Sequence, residues 1–131
     1  MNKEEDKKRF SIIARAKSFT HAWRGVSVFI KSTHNAWIHI FIGIVVIFLG
    51  FFFEITKIEW ITIIIAIGFV LVTESINTAI EIDIDLTSPE FHPYAKDTKD
   101  VAAGAVLIST ITAIIIGLIV FVPYFIKCFF N

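Results

Sequence analysis

Charge is scarce in this sequence of 131 residues: Asp, Glu, Lys and Arg make up 18 % of it, against a globular norm of about 25 %. A small soluble domain must cover a large surface with polar groups. This chain has too few, which argues against a soluble monomer and against a disordered tail. Cysteine is nearly missing. Cys128 stands alone, so no internal disulfide forms, a disulfide scaffold is excluded, and Cys128 reads as inert. Net charge is absent too, because 12 Lys and Arg balance 12 Asp and Glu, and no basic excess points to nucleic acid. Neither Gly-x-x-x-x-Gly-Lys nor Gly-x-Gly-x-x-Gly occurs, so a soluble-type nucleotide fold is not expected. The first apolar run begins only at Ala36, too late for a cleaved leader, and none is expected.

What the chain has is hydrocarbon. Hydrophobic residues are 56 % of it, fourteen of them phenylalanine, and the mean hydropathy is +0.75. Three apolar runs stand well apart, at about residues 36–53, 58–80 and 101–126. Each suits a bilayer core, which takes about 17–25 residues as helix. Core helices of a soluble bundle would carry a polar face, and the first run has none. The expected fold is an all-α membrane protein: one membrane-embedded domain over residues 1–131, with three transmembrane helices behind a cytoplasmic tail and surface helix at 1–33.

Lys and Arg near the span ends set the orientation. Lys3, Lys7, Lys8, Arg9, Arg15, Lys17, Arg24 and Lys31 precede the first span, and Lys96 and Lys99 lie between the second and third. Only Lys57 lies between the first and second, and only Lys127 follows the third. The N-terminus and residues 85–100 are therefore expected on the cytoplasmic side of a multi-pass inner-membrane protein. Residues 10–30 are not a span. Ile13, Ala16, Phe19, Trp23, Val26 and Ile30 recur at helix spacing, with Arg15, Lys17, His21 and Arg24 between them. Such a basic amphipathic helix lies in the headgroup plane, either as a passive anchor or as one wall of a site open to lipid.

The informative stretch is Thr73-Glu-Ser-Ile-Asn-Thr-Ala-Ile-Glu-Ile-Asp-Ile-Asp85. Carboxylates inside a membrane helix are costly and mark function by default. Glu74, Asn77, Glu81 and Asp85 stand at i, i+3, i+7 and i+11, one stripe of a helix, with Asp83 on another side. Solvated helix-end acids account for Asp83 and Asp85, but poorly for Glu74 and Asn77, which follow the uninterrupted apolar run at residues 63–72. Two chemistries use such a ladder. It relays protons or cations, or its deepest carboxylate acts as general base on a lipid hydroxyl while the shallower ones hold Mg²⁺ and phosphates. A polar loop at 88–100 follows, where Lys99 and Lys96 are candidate phosphate clamps, although a solvated loop is the preferred reading of Lys96 and Asp97. The small residues 102–105 allow close helix approach.

The motifs Glu74-Ser-Ile-Asn-Thr-Ala-Ile-Glu81, Asp85, Pro89-Glu-Phe-His92 and Ala95-Lys-Asp-Thr-Lys-Asp-Val-Ala-Ala-Gly-Ala-Val106 resemble the bacterial diacylglycerol kinase and undecaprenol kinase family. Phe19-Thr-His-Ala-Trp-Arg-Gly25 and His34-Asn-Ala-Trp-Ile-His39 extend the likeness upstream, so that it covers residues 18–122. The resemblance implies a homotrimer with shared sites, and transfer of the ATP γ-phosphate to a lipid hydroxyl with Mg²⁺. It makes Glu74 the catalytic base and Asn77 the residue near metal and phosphates. It makes Glu81 the ligand of metal and nucleotide, and Glu90, His92, Lys99 and Asp100 nucleotide contacts. Asn35, Trp37 and His39 become lipid contacts. The family usually has a glutamate, a second metal ligand, just before the position of His34. Thr33 stands there instead, so weaker metal binding is expected.

The leading expectation is a lipid kinase acting on diacylglycerol or undecaprenol, each of which presents one hydroxyl on a long apolar body. The alternative is a weakened or inactive relative with a membrane binding or assembly role. A proton or cation carrier built on the same ladder ranks last, because Lys99 and Asp100 serve it no purpose.

Overall fold

A computed structural model describes residues 12–130, with side-chain surroundings from Arg15 onward. Lys3, Lys7, Lys8, Arg9 and Phe10, and the side chain of Ile13, lie outside the described residues. The described chain is all helix: α1 (Ile12–Ser32), α2 (His34–Phe52), α3 (Lys57–Thr87) and α4 (Pro93–Phe130). The last three are long and apolar enough to cross a membrane. With 31 and 38 residues, α3 and α4 extend about 46 and 57 Å at 1.5 Å per residue. Both outrun a hydrocarbon core of about 30 Å. Large side chains such as Phe41, Phe48, Ile65 and Ile119 stay exposed on α2, α3 and α4, a surface that suits acyl chains rather than water. Phe19 and Trp23 are likewise exposed on α1.

The loop expected at 88–100 is shorter than the polar composition implies. Only residues 88–92 are non-helical, and residues 93–100 form the first turns of α4. Pro93 stands at the first helical position, where its missing N–H costs nothing. His92 caps the helix, its Nδ1 accepting from the Tyr94 amide at 3.3 Å. Hydropathy marks where a chain meets water, and α4 starts two turns before that boundary.

The opposite end of the bundle is the most tightly built. At the C-terminus of α2, Glu54 adopts a left-handed φ of 51°. Its amide donates to Phe51 O at 3.3 Å, and the Ile55 amide donates to Gly50 O at 3.1 Å. These two bonds are those of a Schellman turn, with glutamate in the place glycine usually takes. Two residues on, Thr56 opens α3 with a capping box: its Oγ1 accepts from the Glu59 amide, and its own amide donates to Glu59 Oε2 at 2.7 Å. Tyr124 Oη donates to the same oxygen at 2.8 Å, which ties α4 to the turn. Beneath these bonds Ile55, Ile63, Val120 and Phe121 form a buried cluster flanked by Phe53 and Trp60.

Farther along, Thr73 Oγ1 and Ser109 Oγ meet at 2.7 Å and join α3 to α4. Gly50 lets Trp60 approach, since a Cβ there would lie 2.7 Å from the indole. Gly50→Ala is therefore expected to destabilise the protein by about 1–3 kcal/mol. Gly68→Ala, whose Cβ would meet nothing within 4 Å, is expected to stabilise it by about 0.5–1 kcal/mol. Thermal unfolding midpoints in detergent micelles compare the two.

Candidate active site

The stripe expected from spacing faces inward at its deep end. Glu74 is 1 % exposed and Asn77 6 % exposed, Glu81 is half-buried, and Asp85 reaches the surface. Asp83 is exposed, away from the stripe. Glu74 lies thirteen residues before Thr87, the last residue of α3, which is about 20 Å along the helix. Glu81 follows Glu74 by seven residues, two turns farther along the same helix face.

Asn77 and Glu81 form a unit. Asn77 Nδ2 donates to Glu81 Oε1 at 2.9 Å, which holds the carboxylate in one rotamer. The Asn77 Oδ1 is buried and has no hydrogen-bond partner. An orphaned buried acceptor costs about 1–3 kcal/mol, and such groups persist where a ligand supplies the partner. Thr33 is a parallel case. It precedes α2 without capping it through its side chain, and its Oγ1 is also buried without a partner.

At the α3–α4 turn a groove of about 360 Å³ gathers Asp85, Glu90, His92, Lys96, Lys99 and Asp100. The motifs at Asp85, at residues 89–92 and at the start of α4 thus meet at one concavity. Lys99 Nζ donates to Asp85 Oδ1 across it, which joins the end of the ladder to the start of α4. Because His92 Nδ1 is the acceptor for the Tyr94 amide, Nε2 is left to carry the proton and to donate outward. Lys96 shares the groove wall, whereas Asp97 lines a second groove of about 500 Å³ with Asn77, Tyr94 and Thr98. The helical start of α4 decides this. On a helix Lys96 and Lys99 share a face and Asp97 does not. The pairing of Thr73 with Ser109 had no sequence signal beyond hydroxyls in apolar runs.

Of the three expected lipid contacts, His39 is half-buried on α2, while Asn35 and Trp37 are exposed at the start of that helix. Among the described residues no group of three or more His, Cys, Asp or Glu side chains stands close enough to hold a metal ion. The donors near Asn77 are hard oxygens, one carboxylate and one amide carbonyl. They fit Mg²⁺, which takes one or two protein carboxylates and completes its shell with water and phosphate oxygens.

The chain is similar to known proteins along most of its length. The family described as prokaryotic diacylglycerol kinase matches residues 20–121. An undecaprenol kinase of Bacillus subtilis (strain 168) is 41 % identical over 107 residues, covering 82 % of this chain and 87 % of that protein. A diacylglycerol kinase of Synechocystis is 39 % identical over 101 residues, covering 76 % of this chain but 58 % of that protein. A diacylglycerol kinase of Helicobacter pylori (strain ATCC 700392 / 26695) is 30 % identical over 109 residues, covering 78 % and 85 %.

Burial and exposure along the ladder predict opposite stability effects. Glu74→Gln keeps the shape and removes a buried charge, so it is expected to stabilise the protein by about 1 kcal/mol or more. Asp85→Asn breaks a pair whose side chains are 37 % and 68 % exposed, and is expected to change stability by less than about 1 kcal/mol. Thermal unfolding in micelles at neutral pH reads both.

Proposed function

The chain is a lipid kinase of the prokaryotic diacylglycerol kinase family, and we propose that it transfers the γ-phosphate of ATP to the hydroxyl of a membrane lipid, with Glu74 as general base. The observation that carries this reading is the placement of a 1 % exposed carboxylate on the same helix stripe as the Asn77–Glu81 pair and the groove of Asp85, Glu90, His92, Lys99 and Asp100. Phosphoryl transfer asks little covalent chemistry of a protein; positioning and charge neutralisation do most of it. A lipid hydroxyl reaches only the deep end of the ladder, and a nucleotide only the watery end. The stripe brings the two together along α3.

In this reading Lys99, with His92 Nε2, neutralises phosphate oxygens in the groove, and Glu90 and Asp100 hold the nucleotide. Glu81 and Asn77 Oδ1 would hold Mg²⁺, which when bound supplies charge neutralisation between the phosphates. Asn77 fixes Glu81 through its hydrogen bond. Glu74 accepts the proton of the hydroxyl as that oxygen bonds to the γ-phosphorus and the bond from phosphorus to the departing ADP oxygen breaks. The charge pattern supports a cytoplasmic N-terminus and a cytoplasmic α3–α4 turn in the inner membrane, with α1 in the headgroup plane. The family likeness supports a homotrimer. Diacylglycerol and undecaprenol are both acceptors of relatives by name, and each offers one hydroxyl.

Transfer of labelled γ-phosphate from ATP to a lipid extract by the purified protein, with identification of the product, tests the proposal. Glu74→Gln is expected to lower kcat by about 10²–10⁴-fold while ATP binding persists. Full turnover in that variant would remove Glu74 from the chemistry. Thr33→Glu restores the carboxylate usual in the family beside a buried, unpartnered position. It is expected to lower the Mg²⁺ concentration for half-maximal rate by about tenfold. An unchanged Mg²⁺ requirement would show that Thr33 costs the enzyme nothing.

A further inference from the structure

Among the described residues, polar ties join α3 to α4 at three levels. Glu59 meets Tyr124 near the α2–α3 turn, Thr73 meets Ser109 in the apolar middle, and Asp85 meets Lys99 at the groove. The first belongs to the capped turn and the last to the nucleotide groove. The middle tie belongs to neither. Ser109 is nevertheless buried to 1 % exposure, and its partner Thr73 immediately precedes Glu74. Ala102, seven residues before Ser109 on the same face of α4, is also buried. Small side chains there leave the serine within reach of α3.

Both hydroxyls are satisfied without water. Thr73 Oγ1 lies 3.0 Å from Phe69 O and 2.9 Å from Val70 O, and Ser109 Oγ lies 2.8 Å from Val106 O. The two hydroxyl oxygens are 2.7 Å apart. One hydroxyl donates to the other, and the acceptor donates to a carbonyl of its own helix. Either residue can therefore lose its mate and stay satisfied by its own backbone. Such a bond adds little stability in a membrane, where the unpaired helices find local partners too. What it adds is direction, because it fixes how far α3 is turned about its axis beside Glu74.

We infer that Thr73 and Ser109 are positioning residues, whose mutual hydrogen bond aims the Glu74 carboxylate. This role rests on the kinase reading above and adds two residues to it. Side chains end about 5–6 Å from a helix axis, so a turn of about 10° carries a carboxylate through about 1 Å. A misplacement of that size can cost about a hundredfold in rate. Without the middle tie, α3 would run from Glu59 to Asp85, about 39 Å of helix, with no polar bond to α4. Apolar packing would then set its rotation alone, and such packing is less directional than a hydrogen bond. The Asp85–Lys99 tie stands about 18 Å farther along α3, so the groove keeps its nucleotide contacts. The loss is therefore read in kcat and not in the KM for ATP.

The experiment measures ATP-dependent phosphorylation in mixed micelles containing undecaprenol or dioleoylglycerol. It compares wild type, Thr73→Val, Ser109→Ala, the double variant and Thr73→Ser on whichever lipid wild type turns over. Thr73→Val and Ser109→Ala are each expected to lower kcat by about ten- to a hundredfold. Their KM for ATP should stay within about twofold of wild type, and their unfolding midpoints within about three degrees. The double variant is expected to lose no more than either single one, because both remove the same bond. Thr73→Ser keeps the hydroxyl and is expected to recover most of the rate. Should Ser109→Ala pack poorly, Thr73→Val, nearly identical in shape to wild type, carries the result. A kcat within about twofold of wild type in both single variants, or losses that multiply in the double variant, would overturn the assignment and leave the kinase intact. So would a fall in kcat matched by a lower unfolding midpoint and a higher KM for ATP, which would make the pair structural only. A wild type that phosphorylates neither lipid would overturn the kinase reading and the positioning role with it.

Discussion

A carboxylate has no water to solvate it deep in an apolar helix, and seating one there costs about 2.5–3.5 kcal/mol on insertion scales. Glu74 is such a group, 1 % exposed and about 20 Å from the end of α3. The bundle is arranged around that expense. α3 is longer than a bilayer is thick, so one helix carries a carboxylate inside and its partners at the rim. Asn77 takes one oxygen of Glu81, and Lys99 takes one of Asp85. Toward the α3–α4 turn the acidic stripe is thus partnered, by an amide at Glu81 and a lysine at Asp85, while Glu74 stands buried at its head.

The two ends of the bundle differ in how fully their polar groups are partnered. At the α2–α3 turn the helix termini are capped, Glu59 is bound by Thr56 and Tyr124, and Trp60 lies over Gly50 with no room for a methyl group. At the other end two buried polar atoms among the described residues, Asn77 Oδ1 and Thr33 Oγ1, are left without partners. Folded proteins satisfy nearly all such groups. Exceptions gathered at one end of a molecule that is well satisfied at the other are what a site awaiting ligand oxygens and donors looks like.

Much of this was legible from residue order. Three apolar runs announced three long helices, and Glu74, Asn77, Glu81 and Asp85 fell on one stripe by arithmetic alone. Three features were not legible. The start of α4 at Pro93 was hidden because polar composition masks a helix that leaves the membrane, although the His-Pro pair with its cap is a local signal. The partnership of Lys99 with Asp85 and that of Thr73 with Ser109 join residues 14 and 36 positions apart, and nothing local encodes them.

Composition and periodicity determined by themselves that the chain is helical, apolar on most faces, and acidic along one line of one helix, since those properties follow from residue type at a fixed 3.6-residue repeat. Which way that line faces, and what stands opposite it, only the packing of α2, α3 and α4 decided. Burial of Glu74, convergence of Asp85, His92 and Lys99 on one groove, and the pairing of Thr73 with Ser109 all depend on contacts between distant segments. A single helix, however well read, carries no information about its neighbours' surfaces.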